Sequence, residues 1–209
     1  MLDTDLIAAR TKSSRLMIVL HGLGDSMEGY RWMPAALALP WLNFLLVNAP
    51  DDYFGGFSWY DIYGHAEPGV RRSRQLLFAL VDDLPARGFD TAQTVLFGFS
   101  QGCLMTFEVG ARYPQRFAGL VGVSGYAHEP ETLLRELSPV AREQRWLLTH
   151  GTQDPLIPIA PVREQVQKLR AAGLNLQWRE FDKGHTIDEY EERDCIRQFV
   201  GDCFGGRLA

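Results

Sequence analysis

The chain has 209 residues, 46% of them hydrophobic, which suits one globular domain over 1–209 with its packed body at about 15–203. A net charge of −5 leaves no electrostatic footprint for a nucleic-acid partner, and no apolar run reaches membrane-spanning length. The N-terminus Met1-Leu2-Asp3-Thr4-Asp5 lacks the basic and apolar regions of a signal peptide, and three cysteines are an odd count, so the expectation is a cytoplasmic protein with reduced thiols and no stable membrane insertion.

Strand-like apolar runs fall at 16–20, 43–47, 94–98, 118–123, 145–150 and 175–181, and helical patterns at 71–84, 101–112, 161–172 and 188–203. This alternation predicts an α/β fold with a mostly parallel sheet and helices on both faces. Arg71-Arg72-Ser73-Arg74 reads as the solvated start of the first of those helices. The stretch from Ala127 to Gln144 is too short for a large cap domain. Cys195 and Cys203 lie eight apart on one predicted helix, too far along it to bridge. Metal- and nucleotide-binding motifs are missing, so no metal and no cofactor are expected.

Gly98-Phe99-Ser100-Gln101-Gly102 stands where the apolar strand Thr94-Val95-Leu96-Phe97 gives way to a helix. Glycines on both sides of the serine permit a sharp turn that lifts Ser100 Oγ clear of the backbone, the arrangement of a nucleophile elbow. A serine hydroxyl needs a histidine base, and the histidine an acid to fix its tautomer. After Ser100 come His128, His150 and His185, and no aspartate separates Ser100 from His150. That leaves His185, on the turn Asp182-Lys183-Gly184-His185-Thr186. Asp182 is too close in sequence to grip the far side of the ring, whereas Asp154 follows the strand Arg145 to His150 and precedes Pro155. Nucleophile, acid and base then sit at the ends of three different strands, where open α/β sheets bind ligands.

Acyl transfer also requires oxyanion donors. Gln101 N–H is one, at the start of the helix, and Leu23 N–H is the other, in the glycine-rich turn His21-Gly22-Leu23-Gly24-Asp25. His21 reads as a packed, hydrogen-bonded loop histidine. The aromatic loop Tyr53-Phe54-Gly55-Gly56-Phe57-Ser58-Trp59 is expected to wall an open site, with Phe54, Phe57, Trp59 and Ile157 as substrate contacts, although ordinary core packing claims about half of such aromatics.

The chain resembles the phospholipase/carboxylesterase family of α/β-hydrolases, relatives of the acyl-protein thioesterases. The matching pieces, in family order, are His21-Gly22-Leu23-Gly24-Asp25, Asn48-Ala49-Pro50, Ser58-Trp59-Tyr60-Asp61, Gly98-Phe99-Ser100-Gln101-Gly102, Ser124-Gly125-Tyr126, His150-Gly151-Thr152-Gln153-Asp154-Pro155 and Gly184-His185. The resemblance implies a minimal α/β-hydrolase fold, a Ser100, Asp154, His185 triad, Leu23 and Gln101 as oxyanion donors, and cofactor-free hydrolysis of small-molecule carboxylic esters or thioesters. Two departures stand out. The segment joining Ala49-Pro50 to Trp59 is shorter than the family's usual lid, which predicts short- to medium-chain substrates. Cys103 replaces the family's second glycine after the elbow and reads as a small buried residue. Hydrolysis of lactones or small amides is the alternative activity, and a non-catalytic ligand-binding protein is the alternative class. Monomer and homodimer both remain open.

Overall fold

A computed structural model describes residues 1–205, so the last four positions of the predicted 1–209 domain lie outside the described residues. In chain order the elements are β1 (Thr4–Ile7), β2 (Leu16–Leu20), α1 (Met33–Leu37), β3 (Asn43–Val47), β4 (Asp51–Tyr53), β5 (Gly56–Ser58), α2 (Ala66–Asp82), β6 (Thr94–Phe99), α3 (Gln101–Arg112), β7 (Gly119–Val123), α4 (Pro130–Arg135), β8 (Trp146–Gly151), α5 (Ile159–Ala171), β9 (Leu176–Phe181) and α6 (Glu191–Cys203). Seven strands form one sheet in the order β1-β3-β2-β6-β7-β8-β9. All neighbours are parallel except β1, which runs antiparallel to β3.

The central strands are apolar along their whole length because both faces of the sheet are covered. Alternate residues serve the two sides. Leu16, Ile18, Leu20, Leu45, Val47 and Leu96 pack with α2, α3 and α5, while Met17, Val19, Phe44, Leu46, Val95 and Phe97 pack with α1 and α6. Helix α3 is buried on every side from Gln101 to Ala111, as a helix wedged between the sheet and α2 must be. Among the described residues, no helix is long and apolar enough to cross a membrane and no segment forms a separate cap.

Several elements escape the sequence patterns. β1 is short and only half-buried, α1 and α4 are too short to display a helical period, and β4 and β5 form a hairpin of three-residue strands. Helix α2 starts at Ala66 rather than near 71, with Pro68 in its first turn, where the ring's missing N–H is harmless. Its basic start is only partly solvated. Arg71 and Arg72 are exposed, but Ser73 is buried, and Arg74 reaches the buried Glu108 of α3 at 2.8 Å, which Arg112 holds from the other side at 2.8 Å. A buried carboxylate needs such partners, so this face of α2 is pinned to the helix that carries the serine elbow.

Candidate active site

The elbow is built by two close backbone approaches. A Cβ on Gly98 would stand 2.0 Å from Gly102 O, and one on Gly102 would stand 2.2 Å from Leu20 O, so neither position accepts a side chain. Between them Ser100 adopts φ 53°, ψ −113°, a conformation non-glycine residues rarely occupy. Hydrogen bonds on either side hold it there. Ser100 N–H donates to Val123 O at the end of β7 at 2.9 Å, and Ser100 O accepts from Cys103 and Leu104 N–H at 3.0 and 3.2 Å.

Ser100, His185 and Asp154 form a continuous hydrogen-bonded chain. His185 Nε2 lies 2.9 Å from Ser100 Oγ, and His185 Nδ1 lies 2.7 Å from Asp154 Oδ2. The other carboxylate oxygen, Asp154 Oδ1, accepts from Leu156 and Ile157 N–H, each at 2.9 Å. Burial pushes the Asp154 carboxyl up, but the Ile157 N–H, the His185 ring and the Leu156 N–H outweigh it and hold the acid below its ordinary value. An ionised Asp154 keeps the imidazole proton on Nδ1 and leaves the Nε2 lone pair facing the serine hydroxyl. Asp182, the rejected alternative, points elsewhere and pairs with Gln153 Nε2 at 2.5 Å.

The turn after β2 brings Leu23 beside the elbow. A Cβ on Gly22 would lie 3.3 Å from Ser100 Cβ, so the turn packs directly on the serine. Neither Leu23 N–H nor Gln101 N–H donates to any of the described residues, which leaves both available to an oxyanion. His21 is spent on structure. Ala49 N–H donates to its Nε2 at 3.0 Å, which places the ring proton on Nδ1, 2.6 Å from Gly22 O, and burial lowers its pKa. With both ring nitrogens committed to the backbone it has no proton to exchange with substrate.

A cleft of about 520 Å³ opens over Ser100 and His185, within the range of small-molecule sites. Tyr60, Ile62, Phe99, Tyr126, Leu156 and Ile157 supply its apolar wall. Ile157 is thus where the sequence reading put it, but the three aromatics are not part of this lining. Trp59 is fully buried in the core, and its indole N–H donates to His21 O at 2.9 Å. Phe54 is 96% exposed at the tip of the β4–β5 hairpin. Phe57 is half-buried, 6.3 Å from the His21 ring, and its main chain pairs with the turn that carries Leu23 through Gly24 N–H to Phe57 O and Phe57 N–H to Asp25 O, both at 2.9 Å. The aromatic loop therefore braces the turn from behind and does not roof the cleft. Tyr60 and Tyr126, which the sequence reading leaves out of the cleft, stand inside the motifs Ser58-Trp59-Tyr60-Asp61 and Ser124-Gly125-Tyr126, and Leu156 lies between Asp154 and Ile157. Their place in or next to motifs was the signal available for them.

The side chain of Gln101 carries a further constraint. Its Oε1 accepts Trp59 N–H at 2.9 Å, and its Nε2 donates to Tyr60 O at 2.9 Å, fixing the segment that presents Tyr60 to the cleft. Cys103 is wholly buried behind the elbow, and burial pushes its thiol up, away from reactivity.

A mostly parallel sheet with a serine elbow at the end of its central strand, facing a histidine at the end of another, defines a serine hydrolase of the α/β-hydrolase fold. The chain belongs to the phospholipase/carboxylesterase family, whose model matches residues 3–203. It is 36% identical over 174 residues to acyl-protein thioesterase 1 of Schizosaccharomyces pombe, covering 75% of this chain and 76% of that relative. Among solved structures it resembles esterase PE8, with a TM-score of 0.86 at 26% identity over 97% of this chain and 99% of the other. The fold is also that of the Bacillus cereus carboxylesterase, with a TM-score of 0.83 at 18% identity over 98% and 95% of the two chains.

Proposed function

We propose that this hydrolase is a carboxylesterase acting through an acyl-enzyme on short- to medium-chain esters. His185 Nε2 takes the proton of Ser100 Oγ as the oxygen attacks the carbonyl carbon, and Asp154 stabilises the imidazolium that results. The N–H groups of Leu23 and Gln101 receive the developing oxyanion. The tetrahedral intermediate collapses with His185 protonating the leaving alkoxide. Water, deprotonated by the same Nε2, then releases the acid and restores Ser100. Every group needed comes from this chain, so the reading requires no cofactor.

The observation that carries this reading is the unbroken chain from Asp154 through His185 to Ser100, at 2.7 and 2.9 Å. Thioesters are a second substrate class, favoured by the likeness to a protein named as an acyl-protein thioesterase. A cytoplasmic site of action is consistent with the three cysteines being unpaired, and a single hydrolase domain with one sheet carrying all the proposed residues.

A fluorophosphonate probe should label the protein covalently at one site, and Ser100→Ala should abolish the labelling. Turnover of a soluble butyryl ester should fall by roughly 10⁴- to 10⁶-fold in Ser100→Ala or His185→Ala, by less in Asp154→Ala, and without additivity in the double variants. Labelling that survives in Ser100→Ala identifies a different nucleophile and ends the proposal.

A further inference from the structure

The loop that carries His185 is held by a buried ion pair that none of the chemistry above uses. Lys183 precedes His185 by two residues and is buried, with its Nζ 2.8 Å from Oε1 of the fully buried Glu192 in the first turn of α6. The same ammonium donates to Ser124 Oγ at 3.0 Å and to the Thr186 carbonyl. Ser124 directly follows β7, whose last carbonyl receives the Ser100 N–H. The Lys183 carbonyl in turn accepts Gln153 N–H, next to Asp154, at 3.1 Å, and a Cβ on Gly151 would stand only 2.3 Å from that oxygen. The anchor is itself fixed. Glu192 Oε2 accepts Asp188 N–H at 2.8 Å, and Asp188 Oδ1 accepts Glu192 N–H at 3.2 Å.

One residue thus ties together the loops of the base and the acid, the turn beside the nucleophile, and helix α6. Neither Lys183 nor Ser124 lines the cleft, so their contact is not a second nucleophilic pair. A pair of apolar side chains would fill the same space without the cost of desolvating two charges. What apolar side chains cannot do is hold the Thr186 carbonyl and Ser124 Oγ at one point.

We propose that Lys183, anchored by Glu192, is a positioning residue that sets the His185 ring against Ser100 Oγ by closing residues 183–186 onto Thr186 O and Ser124. The proposal rests on the reading of His185 as the base.

The test is the double variant Lys183→Met, Glu192→Gln, which removes both charges together and leaves neither unpaired. Its melting temperature should drop by several degrees, because Ser124 Oγ and the Thr186 carbonyl lose their donor, while kcat on a butyryl ester drops about 10- to 100-fold with KM little changed, the mark of a displaced catalytic group. The downfield proton NMR signal of His185 Nδ1–H should broaden or vanish. A folded double variant with kcat within twofold of the parent overturns the proposal, as does a fall in kcat with that signal unchanged. If the double variant does not fold, Ser124→Ala removes a single acceptor and should lower kcat by about 3- to 10-fold on the same reasoning, and an unchanged kcat there overturns it too. His185→Ala separates the two readings. Retained activity in that variant ends the assignment of the base, whereas His185-dependent activity that ignores Lys183 ends the positioning role alone.

Discussion

Gln101 combines two roles at one position. Its backbone N–H, which donates to none of the described residues, is the proposed oxyanion donor, while its side chain bonds Trp59 N–H and Tyr60 O in the interior. Truncation to alanine leaves the buried Trp59 N–H unpaired, at about 1–3 kcal/mol, and takes one of two donors from Tyr60 O, which keeps Ser58 Oγ at 2.7 Å, so the segment that carries Tyr60 is loosened. Gln101→Ala should therefore lose about 10- to 100-fold in kcat/KM through misplacement, far less than Ser100→Ala, and melt earlier. A Gln101→Ala enzyme as inactive as Ser100→Ala would mean that the amide acts on substrate directly. The elbow and its two partners were legible in the sequence because glycine spacing, strand ends and chain order all constrain them. The wall was not, since Trp59 and Tyr60 are equally aromatic, both are buried, and only the packed fold says which of the two borders the cleft.

Between Pro50 and Trp59 the chain forms a hairpin that braces the turn carrying Leu23, the proposed oxyanion donor, instead of covering the cleft. Two consequences belong to this element. Gly56 lies against the turn so closely that a Cβ would stand 2.1 Å from Gly24 O. Gly56→Ala should push the Leu23 donor out of place and lower kcat by roughly the 10²- to 10³-fold of a lost oxyanion contact, with KM less affected. Activity and melting temperature both at parental values in that variant would mean that the hairpin does not hold the turn. The second consequence is acyl length. With no roof, the wall ends at Ile62 and Leu156, which are 45% and 71% exposed. Each methylene buried against that wall contributes about 0.8 kcal/mol, roughly fourfold in kcat/KM, and the gain stops where the wall does. Rates should rise from acetyl to butyryl or hexanoyl and then level. Leu156→Ala should flatten that rise, whereas Trp59→Ala should lower stability and leave the profile's shape intact. A rise continuing through dodecanoyl on monomeric substrate would require a long apolar tunnel.

Across the whole molecule, two buried histidines tie stability to pH. Burial lowers the pKa of His21 and His150 below the ordinary 6.5, and for His150 this outweighs the opposing pull of the Ile157 carbonyl and Asp154. Both therefore stay neutral in the folded chain at a pH where the unfolded chain takes up protons. As pH falls below about 6.5 the unfolded state binds more protons than the folded one, so stability must decline. The depressed Asp154 carboxyl adds to this only further down, where pH falls below its ordinary 3.8 and the native carboxylate is protonated. Calorimetry should give a melting temperature that holds from pH 8 to 7 and drops between pH 6.5 and 5. A flat profile over that lower interval would rule out this account.

What the residue order determined alone is the set of features that local chemistry dictates. Apolar runs of strand length, separated by helical periods, can be buried on both faces only in a covered parallel sheet. A serine between glycines, with an apolar strand before it and a helical pattern after it, reads as a sharp turn. Tertiary structure decided everything that depends on which neighbour arrives from far along the chain. It put Trp59 wholly in the core and gave Tyr60 an edge on the cleft, turned the aromatic loop into a brace, and brought Ser124 from the end of β7 to Lys183 beneath the His185 loop. These contacts join residues distant in sequence, and no local pattern encodes their partners.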